Sequence, residues 1–435
     1  MLYIQPIAFA VLFLIGLFLF IKKVKSISRN IKLGKAETIN DQPTKRWKNV
    51  LLLAFGQKKM FRNPLVAILH LFVYVGFIII NIEILEIIID GLSGQHRIFA
   101  PLLGSFYNIL INSFEILALT VLVACAIFLV RRNIIRIKRF SSADLNGWPR
   151  TDANLILATE IILMSLFLVM NAADTILQQR EVAHYFLTGN FIISSQLQPL
   201  LNQFSNGNLI FIERTAWWLH IAGILAFMNY LPYSKHLHII LAFPNAYFAR
   251  LKPMGTMENM PSIQNEVLYA MQPELAPTGE QAPAQRFGAK DVQDLSWKNL
   301  LDAYSCTECG RCTNACPAAQ TGKLLSPRKI MMSTRDRVEE IGATIDKNGK
   351  WEDDGKSLLH NYITKEEILA CTTCNACVQE CPVSISPLDI ILQLRRYQVM
   401  EASDTPAEWA GMFSNIENNF APWQFSPELR DQWTL

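Results

Sequence analysis

The 435-residue chain is 51% hydrophobic and only 18% charged, with a formal net charge of +3 and a mean hydropathy of +0.20. This balance excludes a disordered chain, a nucleic-acid-binding module and an ordinary soluble enzyme. Eight of the nine cysteines lie in the last third of the sequence and Cys125 lies alone in an apolar stretch, which predicts two unlike domains joined together.

Five apolar segments are long enough to cross a bilayer, whose hydrocarbon layer of ~30 Å needs roughly 20 helical residues. They lie near residues 3–21, 65–89, 107–130, 154–173 and 215–241. Lysines follow the first segment and no small-residue cleavage site is present, so we predict a retained anchor and not a signal peptide. The predicted fold class is all-α, with a five-helix transmembrane bundle over residues 1–242.

Basic residues are concentrated in two stretches, 22–62 and 131–139, on one side of this predicted bundle. The opposite loops offer little beyond Arg97, Arg180 and Arg214. The positive-inside rule therefore predicts an inner (cytoplasmic) membrane protein with its N-terminus outside and everything after about residue 242 in the cytoplasm.

Four of the seven histidines, His70, His220, His236 and His238, lie in or beside the predicted helices. Ionisable side chains in lipid are costly, which makes them functional candidates. His220 and His238 are 18 residues apart, so on one continuous helix their rings would point the same way, about 27 Å apart. His236 would face elsewhere and is predicted to be interfacial.

Haem iron in an electron-transfer site takes two axial ligands from facing helices. His70 and His238 are predicted at the same depth and could hold one haem b near the cytoplasmic face. His220 lacks a facing histidine in the second helix because Ile80 or Asn81 occupies the matching position, and only His96 or His184 in the outer loops could replace it. A second haem, a quinone hydrogen bond and simple packing stay open for His220. For each histidine, the alternative is an ordinary hydrogen-bonded core or interface side chain.

Carboxylates in the predicted spans are costly unless they are protonated, paired or beside a wet cavity. They are Glu83, Glu86, Glu115 and Glu160. Because quinone chemistry moves protons with electrons, Glu83 and Glu115 are candidate proton relays. Interhelical hydrogen bonding or snorkelling to the interface is the alternative for each.

The cysteines outside the membrane half form two runs, CTECGRCTNACP and CTTCNACVQECP, each with the pattern C-x2-C-x2-C-x3-C-P. This pattern is typical of bacterial ferredoxins, where three cysteines hold one [4Fe–4S] cluster and the fourth ligates the other. The predicted ligands of two clusters are Cys306, Cys309, Cys312, Cys316, Cys371, Cys374, Cys377 and Cys381.

Other interpretations of the two runs are weaker. Zinc sites use pairs of cysteines, and disulfides are disfavoured in a reducing cytoplasm. Pro317 and Pro382 are predicted in the first turn of a helix, where a missing N–H is tolerated. Cys125 is predicted to be a buried structural thiol.

The remaining sequence predicts three further units. Residues 243–290 contain an interfacial segment and a Pro- and Gly-rich linker, and residues 291–400 form a mostly α-helical ferredoxin-type domain. Residues 401–435 form a tail whose exposed aromatic residues would suit docking to a partner subunit, or else packing on the protein's own surface. These are Trp409, Trp423, Phe425 and Trp433.

With its two cysteine runs and the basic helix beginning at SPRK, the segment 295–397 resembles the C subunit of heterodisulfide reductases. The membrane half is similar to the gamma subunit of respiratory nitrate reductase and to the E subunit of heterodisulfide reductase, with LHL at His70 and LHI at both His220 and His238. The nitrate reductase resemblance implies two stacked haems b and a quinol near the outer one. It implies His70 and His238 as the inner pair and His220 as one outer ligand, but no histidine stands at the other outer position.

No CCG-type motif, dinucleotide fingerprint, P-loop or nucleophile triad is present, so substrate chemistry is expected on a separate cytoplasmic subunit. That partner would be a CCG-motif protein or an electron-transferring flavoprotein, and no nucleic-acid partner is expected. The predicted function is electron transfer between this partner and the quinone pool through two [4Fe–4S] clusters and haem b. The alternatives are a haem-free membrane anchor or iron–sulfur redox sensor, a haem-free quinone reductase, and a quinol-driven heterodisulfide reductase-type subunit.

Overall fold

The computed structural model describes residues 4–257, 259–277, 286–429 and 431–435, and within them the regular structure is helical. These described residues contain no strand, and their only β pairing is two isolated bridges. The predicted all-α fold class is confirmed.

Five long helices form the membrane bundle. They are α1 (Ile4–Ile31), α2 (Pro64–Ser93), α3 (Ser105–Asn133), α4 (Trp148–Gln179) and α5 (Asn206–Tyr230). Each has the length and apolar composition needed to cross a bilayer. Helices α2 to α5 pack in chain order, and α1 closes the bundle against α2 and α5.

The fifth helix is shorter than predicted at its end near the cysteine runs. Helix α5 ends at Tyr230, and two 3₁₀ turns, Leu231–Tyr233 and Lys235–Leu237, precede helix α6 (His238–Tyr247). Pro232 lies in the first of these turns, and proline cannot continue a helix because its nitrogen carries no hydrogen. The prediction of one helix through both His220 and His238 is therefore wrong, and the 27 Å spacing along it does not apply.

The second half of the chain is built from shorter helices. They are α7 (Pro261–Met271), α8 (Trp297–Tyr304), α9 (Pro327–Asn348), α10 (Pro387–Arg396) and α11 (Ala407–Asn419). Short helices also lie at Pro43–Asn49, Phe99–Leu103, Gln198–Leu201, Arg311–Ala315, Pro317–Gln320, Lys365–Leu369 and Ala376–Glu380. We call residues 286–404 the cysteine domain; its apolar core includes Leu300, Ile330, Ile341 and Ile390.

The segment predicted as a linker, 243–290, is partly integrated into the fold. Helix α6 continues to Tyr247, and Asn245 donates a hydrogen bond to the Val383 carbonyl at 2.7 Å. At the other end, the amide of Ala289 bonds to the Gln393 carbonyl at 2.9 Å. Both ends therefore bond to the chain between Val383 and Gln393, while residue 258 and residues 278–285 lie outside the described residues.

The cysteine domain also packs on the end of α1. Lys23 pairs with Glu339 at 2.7 Å, and the Asn30 amide donates to the Tyr304 hydroxyl at 3.0 Å. Beyond the helix, the amide of Lys35 bonds to the Leu295 carbonyl at 2.7 Å. The first apolar helix is thus a structural support for the cysteine domain as well as a membrane anchor.

A prediction concerns Gly34, where the segment that follows α1 lies against the start of α8. A Cβ at Gly34 would lie 2.6 Å from the Trp297 amide nitrogen, and backbone cannot move aside as a side-chain tip can. We expect Gly34→Ala to weaken the docking by about 1–3 kcal/mol, as overpacking does, and to lower the thermal midpoint of the purified protein. Gly411→Ala is the control because nothing lies within 4 Å of its Cβ; equal midpoints for the two variants would contradict the close contact.

The tail exposes most of its aromatic residues. Trp423, Phe425 and Trp433 are 48%, 61% and 85% exposed, whereas Trp409 is partly buried. No side chain of helix α11 is fully buried. Docking of a partner on this tail stays a prediction.

Candidate metal centres

The two cysteine runs adopt the same local backbone. Glu308 and Thr373, at matching positions, have φ of 52° and 56°, and Gly310 and Asn375 have φ of 72° and 61°. Glycine and asparagine are the residues that tolerate this left-handed region best. The repeated turns bend each run so that three cysteines can face one centre.

Backbone amides point at some of the sulfur atoms. The Thr373 amide lies 3.4 Å from Cys371 Sγ, and the Ile385 amide lies 3.3 Å from Cys381 Sγ. Hydrogen bonds to ligand sulfurs stabilise thiolate charge and are one way in which a protein sets the potential of an iron–sulfur cluster.

The fourth cysteine of each run lies with the other run. Cys381 lines one small cavity together with Cys306, Cys309 and Cys312. Cys316 is in turn close enough to Cys371 and Cys377 to interact with them electrostatically. We call the first group of four the inner site and the group of Cys316, Cys371, Cys374 and Cys377 the outer site.

The cysteines of the two sites are available to bind metal. All nine cysteines are free, and no three or more His, Cys, Asp or Glu side chains among the described residues are placed to share one metal ion. A cubane holds its four sulfur ligands farther apart than a zinc ion does. Burial raises the pKa of Cys381 to about 11 and that of Cys377 to about 12, so iron binding there would displace protons.

The prolines that close the runs differ. Pro317 begins the short helix Pro317–Gln320, with Cys316 as the residue before it, as predicted. Pro382 instead lies in a turn, and the next helix begins at Pro387, capped by the Ser386 side chain. The prediction that Pro382 lies in the first turn of a helix is wrong, because Ser386 and Pro387 provide a stronger helix start.

The inner site is held against the membrane bundle by Glu308, which lies between its first two cysteines. Glu308 is 5% exposed and accepts hydrogen bonds from Lys235 at 2.6 Å and from Arg335 at 2.8 Å. Burial raises the pKa of Glu308, but the two positive charges outweigh it and hold that pKa below its usual value. Lys235 belongs to the turn between α5 and α6, so this ion pair joins the two domains.

A cavity of about 410 Å³ lies where the bundle meets the inner site, and it contains the predicted inner ligands. His70 and His238 both line it, and so does Cys309. The Nδ1 atom of His70 lies 2.9 Å from Gln57 Oε1, and Nδ1 of His238 lies 2.9 Å from the Lys235 carbonyl. With Nδ1 held in this way, each Nε2 is left to bind iron, the usual arrangement of a ligating histidine.

Five cationic side chains among the described residues line this cavity. They are Arg131, Arg132, Arg139, Lys235 and Arg311. The Nε atoms of Arg132 and Arg139 are buried and have no hydrogen-bond partner. Buried donors without partners are rare, and haem b carries two propionate carboxylates that charged guanidinium groups would pair with. The residues present therefore fit a haem b held by His70 and His238.

His236 lines the same cavity, with its ring centroid 5.6 Å from that of His238. The sequence placed His236 on another face because it assumed an unbroken helix. The turn at 235–237 instead brings it beside His238. Cys125 is fully buried and lines this cavity as well.

A second cavity, of about 200 Å³, surrounds His220 farther from the cysteine domain. His220 is 1% exposed, and neither of its ring nitrogens has a hydrogen-bond partner. None of the other described side chains lining this cavity is a histidine. The pair of imidazoles that the nitrate reductase resemblance implies for an outer haem is therefore absent here.

The carboxylates of the membrane helices differ in their hydrogen bonding. Glu115 accepts hydrogen bonds from the amides of Ile193 and Ser194, at 2.8 and 3.1 Å, and from Asn171 at 3.1 Å. For Glu115, the structure thus has the hydrogen bonding that the sequence left open as the alternative to a proton relay. Glu83 Oε2 is buried without a partner.

A buried ionic cluster at the far end of the bundle was missed from the sequence. Arg97, predicted as an outer-loop charge, is only 6% exposed and donates to Asp174 at 2.5 Å, to Asn171 at 2.8 Å and to Tyr107 at 3.1 Å. Glu86 accepts from the same tyrosine at 2.8 Å. The signal for this cluster in the sequence was one aspartate, Asp174, directly after the apolar segment 154–173.

Comparison with known proteins identifies the cysteine half. Residues 302–385 match the family described as a 4Fe-4S dicluster domain. No solved structure matches the chain.

The most similar relatives include "Probable iron-sulfur-binding oxidoreductase FadF" of Bacillus subtilis, 29% identical over 98% of this chain and 61% of its own length. Another is "EtfAB:quinone oxidoreductase" of Syntrophomonas wolfei, 25% identical over 91% of this chain and 54% of its own length. A third is a component of the "Ferredoxin/F(420)H(2)-dependent CoB-CoM heterodisulfide reductase" of Methanosarcina acetivorans, 34% identical over 24% of this chain and 52% of its own length.

The chain thus spans less than two thirds of the length of these relatives. Its five apolar helices, its dicluster domain and its similarity to iron–sulfur oxidoreductases together make it a membrane-associated electron-transfer protein that carries iron–sulfur clusters.

Proposed function

We propose that this protein passes electrons from a cytoplasmic redox partner to the membrane quinone pool through two [4Fe–4S] clusters and one haem b. The observation that carries the proposal is the shared cavity, because a ligand of the inner site, Cys309, lies in the same wall as His70 and His238. A haem held there would lie beside the inner cluster.

The two cluster sites differ in exposure, which gives the path a direction in space. Of the eight predicted sulfur ligands, all of which lie in the described residues, Cys374 of the outer site is the one that is exposed. A partner protein would therefore reach the outer cluster first, and the inner cluster would pass electrons toward the membrane. In this proposal the cysteine domain lies on the cytoplasmic side, and the basic loops at that end of the bundle support this orientation.

Each side of the cavity has a role toward the haem. His70 and His238 would hold the iron, Gln57 and the Lys235 carbonyl would orient their rings, and Arg132 and Arg139 would pair with the propionates. The bound haem would supply one-electron transfer between the inner cluster and the lipid phase. The chain's own contribution is to place the carriers and to tune their potentials.

We propose an electron-transferring flavoprotein as the partner, in preference to a CCG-motif protein. The relative named as EtfAB:quinone oxidoreductase matches 91% of this chain. Two heterodisulfide reductase components of Methanosarcina acetivorans match 24% and 34% of it. Electrons would accordingly run from reduced flavin to quinone, and the quinol-driven heterodisulfide reductase-type subunit is the less favoured candidate.

The test is the haem content of anaerobically purified full-length protein. We expect about one haem b per chain, and we expect His70→Leu and His238→Leu each to reduce it to background while both clusters remain. Each variant should also lose reduction of a soluble quinone by the reduced flavoprotein. His184→Leu is the matched control because that histidine is exposed and lines neither membrane cavity.

Two results would contradict the proposal. Undiminished haem in the His70→Leu variant would remove His70 as a ligand. A wild-type spectrum with iron–sulfur absorption alone would favour the haem-free alternatives: an anchor or redox sensor if no electrons reach quinone, and a haem-free quinone reductase if they do.

A further inference from the structure

The His220 cavity has no role in the electron path described so far, although its chemistry is unusual for a membrane interior. All five membrane helices contribute to its lining, which is mostly aliphatic or aromatic. Within it His220 presents two buried nitrogens without partners. A polar group buried in this way costs free energy unless a ligand or water satisfies it.

A second polar group connects this cavity to the inner one. Glu160 on α4 lines both cavities, and so do Val73 and Phe77 on α2. Among the residues that the structure describes, none donates a hydrogen bond to the Glu160 carboxyl group. The two cavities therefore adjoin each other, and the Glu160 carboxyl group lies between them.

The cavity also reaches the surface that faces lipid. Phe77 is 39% exposed and Asn81 is exposed, and both line the cavity on the same helix. A ligand carrying a long apolar tail could enter between these side chains and leave its tail in the bilayer.

Two features argue against a haem at this place. The cavity has about half the volume of the inner one, 200 Å³ against 410 Å³. Among the described residues that line the cavity, no second imidazole is present, and of the other residue types that ligate haem iron axially only Met164 and Met228 occur.

We propose that the His220 cavity binds the headgroup of the quinone, a site that rests on the function proposed above. A quinone headgroup is a flat apolar ring with two carbonyl oxygens and a lipid tail. His220 donates a hydrogen bond to one carbonyl through whichever ring nitrogen carries the proton. The aliphatic walls hold the ring, and the opening at Phe77 and Asn81 admits the tail.

The reaction balances with the groups named. One quinone takes two electrons and two protons to become quinol, so each carbonyl oxygen gains one proton. The electrons would come one at a time from the clusters of the same chain after the flavoprotein has reduced them. Glu160 would give up each proton in turn and take up a new one from water that reaches it through the inner cavity, so it is the proton-transferring residue and His220 the binding residue.

The test uses the full-length protein in detergent with a fluorescent hydroxyquinoline N-oxide as the quinol analogue. For His220→Leu we expect at least a tenfold loss of affinity for this analogue, with haem and both clusters retained. For Glu160→Gln we expect affinity within about twofold of the wild type, but at least tenfold slower oxidation of the reduced clusters by a short-chain naphthoquinone. His184→Leu should match the wild type in both assays.

The outcomes separate this site from the general function. If His220→Leu binds the analogue as the wild type does while His70→Leu does not, the quinone lies in the inner cavity and the site proposed here is wrong. If His220→Leu removes a haem, His220 is an iron ligand with Met164 or Met228 opposite, which also overturns the site. If the reduced wild-type chain passes no electrons to any quinone, the proposed function itself fails. Retained clusters and inner haem show that a variant has folded.

Discussion

Cys316→Ala is expected to remove the outer cluster, although Cys316 belongs to the first cysteine run. The structure places this sulfur with Cys371 and Cys377 of the second run, and a [4Fe–4S] cluster that loses one of its four thiolates is much less firmly held. Non-haem iron should fall from about eight to about four atoms per chain, with labile sulfide in proportion. Iron analysis and electron paramagnetic resonance of the reduced protein measure both.

The reciprocal variant sharpens this test. Cys381→Ala should remove the inner cluster, which adjoins the haem cavity, and should stop haem reduction by the flavoprotein. Cys125→Ser is the control, since that thiol belongs to neither cluster site and the variant should keep non-haem iron at the wild-type level. Loss of the inner cluster in Cys316→Ala would mean that each run ligates its own cluster.

Arg328→Ala is expected to cause the largest loss of stability among single contacts between the cysteine domain and the membrane bundle. Arg328 is 1% exposed, and its guanidinium group binds Asp144 through two hydrogen bonds of 2.6 and 3.0 Å. Asp144 lies in the loop between α3 and α4. Removing one partner of a buried ion pair leaves the other charge uncompensated and costs about 3–5 kcal/mol.

The pH dependence of this contact follows from Asp144. Burial raises the pKa of Asp144, but the bonds from Arg328 outweigh burial and hold that pKa below its usual value of 3.8. A carboxyl group whose pKa is lowered on folding contributes stability above its unfolded pKa and loses it as the pH falls through the folded pKa. The difference between wild type and variant should therefore be complete at neutral pH and shrink below about pH 4.

The thermal midpoint of the protein in detergent, followed by loss of cluster absorbance, measures this effect. Lys350→Ala is the comparison because the Lys350–Glu352 pair is exposed and 3.7 Å apart, so its loss should change stability by no more than about 1 kcal/mol. The double variant with Asp144→Ala should recover part of the loss. A midpoint for Arg328→Ala equal to that of Lys350→Ala would show that the contact does not support the docked domain.

Features that depend on local spacing can be predicted from the sequence alone. The number of membrane helices follows from runs of apolar residues, because a bilayer requires a minimum length of helix. The two cysteine runs follow from their spacing, because a tight turn must bring three sulfurs to one cluster. Both features can be recognised in stretches of about thirty residues or fewer.

Which of these local features come into contact depends on how the chain packs in three dimensions. His70, His238 and Cys309 come from distant parts of the chain, and nothing in their spacing states that they share one cavity. The end of α5 at Tyr230 had a sequence signal in Pro232, but hydropathy continues across it, so composition alone extended the helix. Arg97 and Asp174 neutralise each other inside the bundle, and a pairing of this kind depends on how helices pack and not on the sequence around either residue.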